Sequence, residues 1–475
     1  MGAAQYKNNT ISVILNTKGY KNLINVPKFS VSLDAQLCPP QGCPIPPIPT
    51  IGKPMLWSDI NSWPSKKLPI LYDKVIIEAN MWIVVDINPP KLSSMIIYGK
   101  LSFLDNIIQP LNLTLQVTDI SIYGSLEITG NKTNLNQTTA YNGRVNIILY
   151  GKKGSSLPVI MGEGVFLGSK VIAVAGSLYT HGQSYIHTWL KISTTIYKNT
   201  NQIILNQYIN WDIGNEIILS PTSYFNDKGL VWSDQTYSNS DEIFKIKEIT
   251  HIFNTTTNTN YTIIIVNKLI KHTHLCINKY NTNYCGSIGL LTRNIIFSSL
   301  YSQNPDDSSY GYGGNINVFE LKTSQNSAII QTGNIQLYNT EFKNFGKINS
   351  NAYSIKLTYS NNNHKQNIIH NCTFNQNYNY ILYTEHSYNI SFMNNVAVGN
   401  YGGGIYIDKN SFEYSIVHNL IVGTRQLPSV LLSSFMYTRP IASITIYNSY
   451  GIILNNLVAG SEDQGYGKKD SFFIL

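Results

Sequence analysis

A few side chains in this chain are of types that could do chemistry. Asp408, Glu413 and Glu385 are carboxylates within one short stretch, His386 follows one of them, and Arg425 lies downstream. Paired carboxylates hydrolyse glycosidic bonds, and a base beside a charge-neutralising cation serves elimination from a polysaccharide. Asp408 and Glu413 flank an expected corner, so their spacing does not by itself put them on one surface. The plainer reading is a solvated acid at a turn and, for His386, a polar corner residue. His272-Thr-His274 has the i, i+2 spacing that puts two imidazoles on one face of a strand, with no third ligand nearby. No motif supports a cofactor, calcium or other divalent cations included. Gly402-Gly403-Gly404 lacks the Lys-Ser/Thr of a phosphate loop and reads as a tight turn. Trp57, Trp63 and Trp82 offer faces for sugar stacking but are expected to pack a core.

The elements that must position these groups are strands. Apolar residues make up 43% of 475, charged ones only 13%, and no window sustains a helical period. β-Branched and aromatic residues favour strands, while Asn and Gly favour turns. Short strands such as Lys74-Val-Ile-Ile-Glu78, Trp82-Ile-Val-Val-Asp86 and Val145-Asn-Ile-Ile-Leu149 alternate with Gly99, Gly124, Gly130, Gly151, Gly168 and Gly176. Those glycines are expected where the chain turns with positive φ. Downstream a unit recurs: Asn294-Ile-Ile-Phe297, Asn339-Thr-Glu-Phe342, Asn371-Cys-Thr-Phe374, Asn395-Val-Ala-Val398, Asn419-Leu-Ile-Val422 and Asn456-Leu-Val-Ala459. A fixed short period is the mark of a solenoid, with rungs expected from about residue 191 onward. Asn371, Asn395, Asn419 and Asn456 are the candidates for a corner ladder bonding one rung to the next.

The net charge of +8 comes without a Lys/Arg cluster, which argues against nucleic acid as a partner. No apolar run is long enough to span a membrane, and Met1–Thr10 has no apolar signal core, so neither anchor nor signal peptide is expected within this chain. Cys38 with Cys43, and Cys276 with Cys285, are close enough to close small disulfide loops in an oxidising compartment. Cys372 reads as a buried, inert thiol. Sequons at Asn112, Asn131, Asn136, Asn254, Asn260, Asn371 and Asn389 permit glycosylation, as does one at Asn8, and in a chain this rich in Asn, Ser and Thr they do not argue for it.

An ordered set of residues carries a family resemblance. Trp57, Leu68-Pro69, Asp73-Lys-Val75, Tyr98-Gly-Lys-Leu101-Ser-Phe103, Ile120-Ser-Ile-Tyr-Gly124, Ile128-Thr-Gly130 and Ile148-Leu-Tyr-Gly151 resemble the eight-glycine ("G-eight") domain. His181-Gly182, Thr188-Trp189-Leu190, Trp211-Asp-Ile-Gly214-Asn-Glu-Ile217 and Gly289-Leu-Leu-Thr-Arg-Asn-Ile295 follow in the order found in fibrocystin-like proteins. Hyaluronan-binding and hyaluronan-depolymerising surface proteins share this region. The resemblance implies an all-β fold: a G-eight domain that precedes and caps a right-handed parallel β-helix of the pectin-lyase-like kind. It divides the chain into the end of an Ig-like domain (1–37), a Pro/Cys linker (38–55), the G-eight domain (56–190) and the β-helix (191–475).

The sequence departs from the pattern at Tyr72 and Asn80, where glycines are usual, and at Gly313-Gly314-Asn315, Tyr353–Thr358 and Gly403-Gly404, where histidines are expected. His386 and Asp408 survive of that polar set. These losses favour a non-catalytic extracellular or cell-surface module that binds a glycan or matrix protein. Cleavage of a hyaluronan-like polysaccharide is the alternative, and a structural spacer of a large adhesin is the third reading. Arg293 is read as a structural residue at the junction.

Overall fold

The computed structural model describes residues 51–461 except 132–137, 155–157, 162–164, 223–240, 256–258, 280–281, 301–306, 308, 323–328, 349, 361–364, 426–441 and 448–449; outside that span it describes 4–7, 10–13, 33–34 and 464–469. Two units are distinguished, 1–50 and 51–475. In the first, Ala4–Lys7, Thr10–Val13 and Leu33–Asp34 form an antiparallel sheet. Cys38 and Cys43 lie outside the described residues.

The second unit is a parallel β-solenoid with three ladders. The first face stacks ten parallel strands, from Pro54–Leu56 and Trp82–Val85 through Ser177–His181 and Asn334–Tyr338 to Gly451–Leu454. The second runs from the N-terminal half of Asn112–Ile122 through Arg144–Leu149, Ile295–Ser299 and Thr373–Asn375 to Leu457–Ala459. The third includes Lys74–Ile77, Leu92–Ile97, Val171–Val174, Asn315–Lys322, Leu382–Glu385 and Ile405–Ile407. Because register is kept, like side chains stack: Ile120, Ile172, Ile316, Ile355, Leu382 and Ile405 form one fully buried column. Phe297, Phe342 and Phe374 form another, with centroids 5.5 and 5.2 Å apart, and Phe392 of the first face packs on Phe374 at 5.6 Å. Each such side chain contributes about 1.5–3 kcal/mol by leaving water.

The rungs do not begin near residue 191. Parallel coils start at Pro54, inside the expected linker, and the glycine-marked strands belong to the same ladders as the later ones. Between them sits an antiparallel six-stranded sheet containing Trp189–Lys191, Gln202–Leu205, Glu216–Leu219, Glu242–Asn254, Thr259–Val266 and Ser287–Leu290. It has its own core around Ile203, Ile217, Phe244 and Ile288, and it docks Trp189 and Ile218 on Val396, Leu420 and Val422 of the second face. Period-two alternation identifies a strand but not its partner or direction.

The glycines also act differently from expectation. Gly151 and Gly168 have positive φ, but Gly99, Gly124 and Gly176 do not. They stack at one corner, where a Cβ on Gly124 would lie 2.0 Å from the carbonyl oxygen of Gly99, and one on Gly176 would lie 2.0 Å from that of Gly124. Ser125 and Ser177 amides donate to those carbonyls across 2.9 Å. The requirement is close backbone approach. Tyr72, by contrast, takes φ 65° at a position where the resemblance expects glycine.

The asparagine ladder exists with its first member shifted. Asn395 Oδ1 accepts from the Cys372 amide (2.8 Å), Asn419 Oδ1 from the Asn395 amide (2.9 Å), and Asn456 Oδ1 from the Asn419 amide (3.0 Å). Asn371 is instead a left-handed corner residue, equivalent to Asn394, His418 and Asn455, all with φ between 53 and 56°. Cys372 occupies the ladder position, its Sγ donating to the Leu337 and His370 carbonyls. Asn419→Ala should therefore lower stability by roughly 2–3 kcal/mol, since stranding buried groups costs about 1–3 kcal/mol each, while Asn371→Ala should cost about 1 kcal/mol. Denaturant midpoints of the two variants check this; equal losses would contradict the ladder.

Candidate functional site

The third face carries an aromatic row in which Tyr353, Tyr380 and Tyr406 are buried and Tyr383 and Tyr447 are half-buried. Tyr383 and Tyr406 are register partners on consecutive coils, and their rings stack at 4.8 Å with 8° between planes. Tyr353 stacks on Tyr383 at 4.1 Å, Tyr380 packs at 5.1 Å from Tyr406, and Tyr447 extends the row at 5.3 Å. Gly403 makes room: a Cβ there would lie 2.3 Å from the Tyr380 ring.

Carboxylates border this row. Glu385 ends its strand opposite Thr358, and Asp408 follows on the next coil, its amide donating to the Thr384 carbonyl. Lys356 Nζ lies 3.0 Å from the Glu385 carboxylate and 5.6 Å from the centre of the Tyr383 ring. Burial pushes the Tyr383 phenol far up, with Tyr353, Tyr406, Glu385 and Asp408 adding to it, so it stays protonated and able to donate.

His386 turns the chain at the same corner with φ 48°. Its ring stacks on Tyr359 at 4.6 Å, and its Nε2 faces Asn410 Nδ2 at 2.9 Å. Asp408, Glu385 and His386 are thus brought together. Glu413 is exposed, at φ 56° within the first-face strand Phe412–Val417. Arg425 is on another corner, following Leu420–Val422, with its guanidinium 3.4 Å from Asp241 and above the Tyr401 ring. The cation imagined for elimination is therefore held elsewhere.

The His272-Thr-His274 segment is not a strand. His274 is buried, with Nδ1 2.8 Å from the Ser220 carbonyl and Nε2 3.3 Å from Glu242, whose carboxylate also accepts from the Lys271 and His272 amides. A buried histidine–carboxylate pair replaces the two-histidine face. Trp57 and Trp63 pack in the core edge to face at 4.8 Å, and Trp82 lies half-buried under Lys100 Nζ at 4.4 Å. Cys276 and Cys285 are joined in a disulfide across a two-stranded hairpin. Burial pushes the Cys372 thiol up to about 12. Asn112, Asn131 and Asn260 are exposed; Asn371 and Asn389 are half-buried at left-handed corners; Asn254 ends a strand; Asn136 lies outside the described residues.

Sequence reasoning missed the tyrosine row, although Tyr383 and Tyr406 have the same 23-residue separation as the ladder pair Cys372 and Asn395. It also missed a buried group of Asp119, Lys170, Asn315 and Lys347 under Tyr312, which no local pattern marks. Arg293 is fully buried and ties coils together, Nε donating to the Asn371 carbonyl at 2.8 Å and Nη1 to those of Leu290 and Thr292.

A three-faced parallel solenoid with a glycine-stacked corner defines the class, and residues 62–193 match the G8 domain family. Along 92% of its length the chain is 25% identical to Protein rliB of Dictyostelium discoideum, covering 36% of that protein. It is also 25% identical to human Fibrocystin-L over 92% of the chain and 10% of that protein, and 24% identical to mouse Fibrocystin over 87% and 9%. The chain thus carries a G8 domain match and is similar along most of its length to fibrocystin-like proteins, of which it spans from about a third to a tenth. A bacteriophage tailspike from an Acinetobacter baumannii phage overlaps 74% of the chain and 48% of its own at a TM-score of 0.20 and 10% identity, too slight a likeness to carry weight.

Burial holds the imidazoles of His181, His370 and His418 below their ordinary value. The unfolded chain then binds more protons than the folded one just below pH 6.5, so stability is lost as pH falls through that region. Buried acids such as Asp119 and Glu341, pushed upward, act in the opposite sense. His370→Gln should flatten the loss of melting temperature between neutral and mildly acidic buffer; an unchanged slope would remove His370 from this account.

Proposed function

We propose that this chain is a non-catalytic binding module of an extracellular or cell-surface protein, and that the tyrosine row takes an extended, hydroxyl-rich glycan. The carrying observation is the alignment of Tyr353, Tyr383, Tyr406 and Tyr447 along the solenoid axis, bordered by Glu385 and Asp408. Coils repeat about every 4.8 Å, so aromatic and acceptor groups recur along the rod at a spacing that suits a polymer laid over it. The half-buried Tyr383 and Tyr447 offer ring edges to sugar C–H groups, and carboxylates accept from sugar hydroxyls. Adjacent carboxylates disfavour an anionic chain, which makes a neutral glycan the better occupant. The Cys276–Cys285 disulfide supports an oxidising compartment.

Catalysis is less well supported, because Arg425 is engaged with Asp241 on a different corner and Lys356 pairs with Glu385. Binding should be read on an array of neutral and uronate polymers. Glu385→Lys should weaken neutral-glycan binding at least tenfold and relax discrimination against uronates, while Glu413→Lys should change little. Absence of binding to every polymer would favour a spacer. Shortening of hyaluronan by the purified chain, abolished by Asp408→Asn, would overturn the non-catalytic reading.

A further inference from the structure

The buried group beneath Tyr312 joins successive coils. Asn315 is fully buried, Lys347 is 3% exposed and Asp119 is 6% exposed. Lys347 Nζ donates to Asn315 Oδ1 and, at 2.8 Å, to the Ser169 carbonyl, with the Tyr312 ring 5.1 Å away. The Asn315 amide nitrogen donates to Asn317 Oδ1 at 3.2 Å, while its carbonyl oxygen accepts from the lysine. Asp119, Val171 and Asn315 are successive positions of one ladder: Val171 is the register partner of Asn315, and its amide donates to Asp119 Oδ1 at 3.2 Å. Lys170, the other lysine of this group, donates to the Leu300 and Tyr312 carbonyls.

We propose that Lys347 Nζ and Asn315 Cγ condense into an intramolecular amide, a covalent cross-link between coils of the solenoid. The lysine ammonium first gives a proton to the Asp119 carboxylate. The neutral amine attacks Asn315 Cγ, the Nζ–C bond forms, and the Cγ–Nδ2 bond breaks. Nδ2 takes one proton from Nζ and leaves as ammonia, and the proton first given up stays on Asp119. One amide is exchanged for another, so atoms balance without oxidant, reductant or cofactor. A buried, water-poor setting favours each step: it disfavours the charged amine and the charged acid, and it excludes hydrolysis. Burial lowers Lys347 to about 7 and raises Asp119 to about 6, which supplies both neutral forms near neutral pH. The link would close a 32-residue separation and limit the unfolded chain as a disulfide does, in a position that no reductant opens.

The test is the intact mass of the full chain, folded, unglycosylated and with thiols reduced. The expected result is a mass lower than that of the sequence by one ammonia, with a branched peptide joining Asn315 to Lys347 and no tryptic cleavage after Lys347. Lys347→Arg and Asn315→Ala should each restore the full mass. Asp119→Asn should slow or abolish the loss, and persistence of the link at the wild-type rate would overturn its role as proton relay. A cooperatively folded wild-type chain of full sequence mass, cleaved normally after Lys347, overturns the proposal, as does ammonia loss that survives Lys347→Arg.

Discussion

Every part of this solenoid depends on coils approaching closely enough for backbone amides of one to reach the carbonyls of the previous one. Along the strands that spacing is met by parallel ladders, but corners must bend and still satisfy their carbonyls. The corner before the first face shows how the constraint is met. Gly99, Gly124 and Gly176 are stacked with no space for a Cβ, and the series passes to Gly333 and then to Ser360, Ser387 and Ser411. Ser360 Oγ donates to the Gly333 carbonyl at 3.1 Å, and Ser387 and Ser411 hydroxyls accept from the amides of the coil before. At the corner before the second face, asparagine side chains do the same work. Glycine, serine and asparagine are three solutions to one geometric demand.

That demand also decides which polar side chains end up exposed or buried. Stacked register places whatever occupies equivalent positions into a column. An apolar column becomes core, an aromatic one contributes to the tyrosine row, and a polar one, holding Asp119 and Asn315, meets lysines from the chain beside it. The third face holds two of these outcomes a few coils apart, since Asn315–Lys322 and Ile405–Ile407 belong to the same ladder. Burying an ammonium is costly unless it is fully hydrogen-bonded or loses its charge, and Lys347 is tied to Asn315 and Ser169.

Much of the architecture was legible. Strand content, the solenoid period, the G8 resemblance and the proximity of Cys276 to Cys285 all follow from local pattern or spacing. The misread positions share one cause. Asn371 looked equivalent to Asn395 and Asn419 because each precedes an apolar run, yet a one-residue offset separates a ladder residue from a left-handed corner. Likewise, Gly99 and Gly151 look alike in sequence, although one is required by a stacked carbonyl and the other by positive φ. His272 and His274 looked like one face of a strand until Glu242, thirty residues earlier, drew His274 inward.

By itself the sequence determined that this chain is all-β, that its later part repeats, and that it resembles G8 proteins, because alternation, turn residues and motif order are local properties. Only the tertiary structure decided that the first coils and the later ones form one solenoid around an inserted antiparallel sheet. It alone decided that Asp408, Glu385 and His386 share a corner from which Arg425 is absent, and that Asp119, Asn315 and Lys347 meet in the interior. Those groupings depend on register between coils separated by variable insertions, and register is set by stacking rather than by any interval in the chain.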